Sequence, residues 1–162
     1  MNDALQDTID YVAITRLQHA YGDVVTRRAW PELDDLFLAD APVRVDTITN
    51  PVIELTGPHE VGAFIGTAVE RFEFFEFVPL STRVFLRVDG DVDHAGARLY
   101  ICELRQDAAT GHASQAFGIY QDEYRRVDGS WWFARRDYQS LARTGRGDVF
   151  EFPSPIEALR RG

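Results

Sequence analysis

The sequence predicts an α+β domain, with N-terminal helices packed into a curved, mostly antiparallel sheet that closes as a cone-shaped barrel. Three observations carry this. An amphipathic helical period occupies the N-terminal stretch. From Ser81 onward the chain alternates apolar and polar residues in long runs. Glycine-containing turns separate those runs. Helices first and antiparallel strands afterwards is the α+β order.

The first helix is the clearest element. Ala13, Ile14, Leu17, Ala20, Tyr21, Val24 and Val25 recur at helical spacing, while Arg16, Asp23, Arg27 and Arg28 fall elsewhere. Trp30-Pro31 opens a second short helix, expected over Pro31 to Leu38. Proline suits a first helical turn, and Glu32 complements the helix dipole there. Val43 to Asp46 alternates as a short strand, Val52 to Leu55 as a second, and Gly57-Pro58 breaks it. A third helix is expected from about His59 to Phe72, with Val61, Phe64, Ile65, Ala68 and Val69 on one face. Four strands complete a meander: Ser81 to Val88, Ala97 to Leu104, Ser114 to Val127 and Trp131 to Tyr138. Their turns are Asp89-Gly90-Asp91, Asp107 to Gly111, and Asp128-Gly129.

Composition narrows the function. A chain of 162 residues fits one domain. At that length a fold buries roughly 70% of its extended surface, enough for a core plus an internal pocket. The expected domain spans 1–143, with a tail over 144–162 that folds across the cone mouth or a subunit interface. Lys plus Arg is 17 and Asp plus Glu is 26, a net charge of −9. Nucleic-acid binding needs a basic face, so that class is excluded, and anionic membrane surfaces are disfavoured. The single cysteine, Cys102, leaves no internal disulfide and no multi-cysteine metal site. That points to a reducing compartment and a cytoplasmic protein. Met1 to Thr8 is polar and acidic, unlike a signal peptide. No apolar run approaches the roughly 20 residues that cross a bilayer.

A set of short motifs then falls in order. They are Ala13-Ile14-x-x-Leu17-x-x-x-Tyr21, Trp30-x-x-Leu33-x-x-Leu36-Phe37, Asp40-Ala41 and Gly57-x-x-Glu60-x-x-x-Phe64. Asp89-Gly90-Asp91 and Tyr120-x-Asp122-Glu123-Tyr124-Arg125-Arg126-x-Asp128-Gly129-x-Trp131 follow. Together they resemble the SnoaL-like branch of the nuclear-transport-factor-2-like superfamily, from about Asp10 to Tyr138. That superfamily includes scytalone dehydratase, bile-acid 7α-dehydratase, ketosteroid isomerase, limonene epoxide hydrolase, polyketide cyclases and non-catalytic transport factors. The resemblance implies an apolar substrate held inside a cone, proton transfer without metal or organic cofactor, and a homo-oligomer, dimer or trimer. It does not choose a reaction, because one fold hosts many.

Three residues are candidate proton handlers. Tyr21 stands where the resemblance places a pocket tyrosine, and a phenol can donate to a carbonyl that becomes an enolate. The competing reading is a core aromatic. Glu103 lies in Arg98-Leu-Tyr-Ile-Cys-Glu103, which resembles the strand carrying a catalytic acid in bile-acid 7α-dehydratase. It shares strand parity with Leu99 and Ile101. Facing inward it would be a desolvated acid; facing outward it would pair with Arg98 or Arg105. Asp46 ends the first strand, one residue from the position where ketosteroid isomerase resembles this chain in placing its base. One residue reverses the face.

The Asp–His pair of the dehydratases has no counterpart. Its acid position holds Thr26, and the histidine region reads Val78-Pro79-Leu80-Ser81. Asp23 cannot replace the acid, being about 200° around the helix from Tyr21. The four histidines, His19, His59, His94 and His112, fit no zinc spacing. All read as surface residues, with His112 the one that could reach the pocket rim. Arg136 and Tyr138 share a strand face and could bond a ligand or form a cross-strand ladder. Arg135-Arg136-Asp137 lacks the companion arginine and aspartate of the limonene epoxide hydrolase triad. Phe72-Glu-Phe-Phe-Glu-Phe77 holds four phenylalanines in six residues. With Phe64, Tyr120 and 12% aromatic content it suggests an apolar ligand wall, Phe75 and Phe77 included. Three functions fit: a cyclase, dehydratase or isomerase for a small cyclic or polyketide-like metabolite; a non-catalytic binding or scaffold protein; or a small subunit of a ring-hydroxylating oxygenase.

Overall fold

The computed structural model describes residues 3–144 and 150–151. Helix α1 covers Asp3–Arg27 and a 3₁₀ helix covers Trp30–Asp35. Strands β1, Pro42–Asp46, and β2, Ile53–Thr56, lead into α2, Gly57–Val69. The long strands are β3, Phe72–Leu86; β4, His94–Asp107; β5, Ala113–Val127; and β6, Ser130–Thr144. A two-residue strand β7, Phe150–Glu151, ends the description. The sheet order is β2-β1-β6-β5-β4-β3, with β7 pairing β6. Only β1 against β6 is parallel among these strand pairs. The α+β cone is the architecture expected.

The differences have local causes. The second helix is a 3₁₀ turn that stops at Asp35, short of Leu38. Leu36 and Leu38 instead exchange backbone hydrogen bonds with Phe133, so β6 captures the chain. The third helix starts at Gly57 and ends at Val69, not Phe72. Gly57 is required there: its φ is +73°, and a Cβ would lie 2.2 Å from the Ala39 carbonyl oxygen. The phenylalanine run and the strand at Ser81 are one strand, β3. The register shifts between Pro79, opposite Ile101, and Ser81, opposite Tyr100, leaving Leu80 as an extra residue beside the proline. The proline is tolerated because β3 is the outer strand of the sheet and can accept a residue with no N–H. Asp128 and Gly129 both have positive φ, 50° and 81°, as a two-residue hairpin turn demands.

Helix α1 lies across the concave face. Its buried residues, Ile14, Leu17, Gln18, Tyr21, Val24 and Val25, meet Phe77, Tyr120, Tyr124 and Phe133 of the strands. Tyr21 packs edge-on to Phe77 and Phe133 at 5.3 and 5.9 Å between ring centres. Each fully buried large apolar side chain stabilises the fold by roughly 1.5–3 kcal/mol. The side chains that alternate inward on β4 are Leu99, Ile101, Glu103 and Arg105, and the first two are buried. Cys102 is buried on the opposite parity, and burial pushes its thiol up.

Candidate functional site

The sheet, α1 and α2 enclose a cavity of about 310 Å³. Each wall follows from strand or helix periodicity. Val43 and Val45 face it from β1, Phe75 and Phe77 from β3, Glu103 and Arg105 from β4. Ala116 and Tyr120 face it from β5, Arg136, Tyr138 and Ser140 from β6, Tyr21 from α1, and Phe64 from α2. Seven expected residues therefore meet at one site: Tyr21, Glu103, Phe64, Phe75, Phe77, Tyr120 and Tyr138. Arg136 is the eighth.

Two expected site residues do not reach it. Val45 lines the cavity, so Asp46, one position on, lies on the other side of β1. Its carboxylate accepts from the Ile48 N–H at 2.9 Å and from Arg44 at 3.2 Å, closing the turn after the strand. His112 is exposed in the β4–β5 turn. Asp107 caps that turn, accepting from the Ala109 and Thr110 N–H groups, and His112 is not among the residues that line the cavity. The lid role expected of the tail falls largely outside the described residues.

Arg136 is the centre of the site. Its exposure is 1%, and its guanidinium lies 3.8 Å from the Tyr120 ring centre, 4.0 Å from Tyr21 and 4.3 Å from Phe133. Nε and Nη2 donate to the two Asp122 oxygens at 2.9 and 3.1 Å. Tyr124 donates to the same carboxylate at 2.9 Å, and Gln18 donates to Tyr124 at 2.9 Å. Nη1 has no hydrogen-bond partner. Burial pulls the guanidinium down, but Asp122, Tyr21 and Tyr120 more than offset it, so Arg136 stays charged. Burial also raises the Asp122 carboxyl, against the pull of Arg136.

Three phenols face the same space. Burial raises Tyr21, with Arg136 opposing; burial raises Tyr120 well above its ordinary value. Tyr138 is pushed up to about 12 by burial, with the Glu103 charge adding to it. All three remain proton donors at neutral pH. Glu103 does look inward, as its parity with Leu99 and Ile101 requires. It is not the unpaired acid expected of that position, because Arg105 donates to its Oε2 through both Nε and Nη2. The inward face and the Arg105 partner, posed as alternatives by the sequence, occur together.

Thr26 explains the missing dyad. Its Oγ1 accepts the Phe77 N–H at 3.0 Å, tying α1 to β3. Where a carboxylate would point into the cone, this chain has a structural bond. Pro79 packs beside Gly22 on the same joint. Asp122 and Tyr124 stand in a family motif of the sequence, but neither they nor Gln18 were expected at the site. Their signal was parity: Asp122 and Tyr124 alternate with Tyr120 on β5.

A family profile for the SnoaL-like domain matches residues 6–137. The chain belongs to the SnoaL-like family. Among solved structures it is similar to a hexachlorocyclohexane dehydrochlorinase, LinA-type3, from Novosphingobium barchaimii LL02. The TM-score is 0.77 at 19% identity, covering 94% of this chain and 100% of that one. A protein named as a scytalone dehydratase from Novosphingobium aromaticivorans gives 0.75 at 19% identity, covering 94% and 97%. An NTF2-like protein with a cystatin-like fold from the same organism gives 0.67 at 20%, covering 85% and 86%. At these identities the likeness is one of fold. No curated protein matches the chain. Among the described residues of this SnoaL-like chain, no helix is long and apolar enough to cross a membrane.

Proposed function

We propose that this SnoaL-like protein is a cofactor-independent acid–base enzyme, a lyase or isomerase acting on a small, largely apolar cyclic or polyketide-like metabolite. The observation that carries the reading is one cavity that holds both a carboxylate, Glu103, and a charged guanidinium with an unpartnered N–H, Arg136. In a site that excludes water, such fixed charges act at far greater strength than in solution. Glu103 takes a proton from the carbon beside a substrate carbonyl. The electron pair moves onto the carbonyl oxygen. The Arg136 Nη1 hydrogens and the Tyr21 hydroxyl meet that negative charge. The enolate then expels a β-hydroxyl, which leaves as water with the proton that Glu103 took; or it attacks a second carbonyl, whose oxygen takes that proton; or it takes the proton back at another carbon. These are dehydration, cyclisation and isomerisation.

Proton NMR in deuterium oxide tests the reading without knowledge of the product. A panel of cyclic ketones and β-hydroxy ketones should lose signal beside the carbonyl faster with protein than in buffer. Glu103→Gln and Tyr21→Phe should each slow the exchange at least tenfold, a threshold set below the roughly 10²–10⁴-fold of general acid–base contributions. Their near-ultraviolet circular dichroism should be unchanged. Equal rates in wild type and both variants would sink the assignment. A second reading, a non-catalytic binding protein, draws support from Thr26 and Pro79 at the dyad positions and from the Glu103–Arg105 pair. It expects binding of the same ketones with no exchange above buffer.

A further inference from the structure

We propose that the mouth of the cavity is an anion subsite. Arg71 and Arg105 take an oxyanionic substituent of the substrate, a carboxylate or a phosphate ester, and this contact draws Arg105 off Glu103. The inference deepens the enzyme reading above and names the substrate class for it.

The first observation is a reversal of composition. The chain has 17 basic and 26 acidic residues, yet the cavity wall carries four arginines and, among the described residues, one carboxylate, Glu103. Arg105 is ion-paired with Glu103 on the wall, and Arg136 and Arg71 with Asp122 and Asp107, which stand behind it. The wall therefore offers more guanidinium donors than carboxylate acceptors, which suits a ligand that accepts hydrogen bonds.

The second observation is geometric. Arg71 and Arg105 come from different elements, the turn after α2 and strand β4, yet both stack on one buried ring. Their guanidiniums lie 5.1 and 5.5 Å from the Phe72 ring centre. One aromatic ring thus packs against two guanidiniums, each of which also faces a carboxylate. Arg71 is the outer member, with 69% of its side chain exposed, against 26% for Arg105. The pair therefore runs from the rim inward.

The third observation is how little of each guanidinium is committed. Arg71 donates from Nε to a single oxygen, Asp107 Oδ2, at 3.1 Å, with Nη2 3.0 Å from the same oxygen. Asp107 Oδ1 is occupied by the Ala109 and Thr110 N–H groups of its turn. Arg105 likewise donates from Nε and Nη2 to one oxygen, Glu103 Oε2. Each guanidinium has five N–H donors, and a forked approach to a carboxylate or phosphate is its preferred geometry. An anion seated between them competes with Glu103 for Arg105. When the anion wins, Glu103 loses its counter-ion and becomes the freer proton acceptor beside Arg136. Recognition of the substrate's charged end would then be coupled to the group that acts on its apolar end.

Isothermal titration calorimetry with three probes of one shape tests this: 2-naphthoate, 2-naphthyl phosphate and the neutral 2-acetonaphthone. At least one anion should bind about tenfold tighter than the ketone, and which one does identifies the substituent. Arg71→Gln and Arg105→Gln should each cut that preference at least threefold. Glu103→Gln should tighten the anion relative to the ketone, because the competitor for Arg105 is gone. Equal binding of all three probes overturns the proposal. So does a preference that survives both arginine variants, which would place the anion on Arg136 instead. If Arg105→Gln does not fold, Arg71→Gln, at an exposed position, decides alone. The titrations need no turnover. Loss of proton exchange with the preference intact retires the catalytic reading, while exchange without the preference retires the subsite.

Discussion

Arg136 sets the character of the site. A guanidinium at 1% exposure is tolerable only because Asp122 meets it with two hydrogen bonds and three aromatic faces surround it. Removing one member of such a buried pair leaves the other charge uncompensated. Asp122→Asn should therefore cost about 3–5 kcal/mol, read from urea unfolding monitored by fluorescence. Asp122→Leu combined with Arg136→Met should recover most of that, since an apolar replacement of both partners leaves no buried charge. A double variant as unstable as the single one would mean the loss is one of packing. At this scale the sequence was half legible. Strand parity tied Glu103 to Leu99 and Ile101, and Tyr138 to Arg136, but left open which face looks into the cone. It could not say which of 26 carboxylates would stand behind Arg136, because that pairing depends on the β5–β6 register, with Asp122 opposite Arg136. Asp46 fails for the same reason: one position decides the face, and Val45 takes the inner one.

The elements hold the site through close approaches that sequence periodicity does not record. Tyr138 fits because Gly118 has no side chain. A Cβ there would lie 2.2 Å from Tyr138 Cε2 and 2.7 Å from its hydroxyl. Gly118→Ala should push the ring into the cavity and cost about 1–3 kcal/mol by overpacking. The same substitution in a Tyr138→Ala background should cost clearly less, and that difference in a double-mutant cycle measures the contact. Additive losses would show that Gly118 matters for strand geometry instead. Thr26→Val tests the α1–β3 tie. It strands the Phe77 N–H and should cost about 1–3 kcal/mol in the same unfolding assay. Alternation predicted every long strand, but each came out longer or differently joined. Pairing with neighbours extends β4 and β6 past their alternating cores. Pro79, which reads as a breaker, is absorbed by a bulge at the sheet edge.

For the whole molecule, the cone interior is a solvent different from water, and the tyrosines report it. Four of the six, Tyr21, Tyr120, Tyr124 and Tyr138, have phenols raised by burial. A phenol whose folded value exceeds its unfolded value of about 10 contributes stability that is fully present below pH 10. Above that pH the unfolded chain gives up protons that the folded chain keeps. The contribution is then lost as pH rises through the folded value, about 12 for Tyr138. The net charge of −9 adds self-repulsion in the same direction as further groups ionise. Alkaline titration should therefore be cooperative. Phenolate absorbance from these four residues should appear together with loss of near-ultraviolet circular dichroism, and it should show hysteresis on rapid back-titration. Stepwise, reversible ionisation near pH 10 with the dichroism intact would mean that water reaches the phenols. It would also remove the dry environment on which the proposed proton transfer by Glu103, and the proposed charge stabilisation by Arg136, depend.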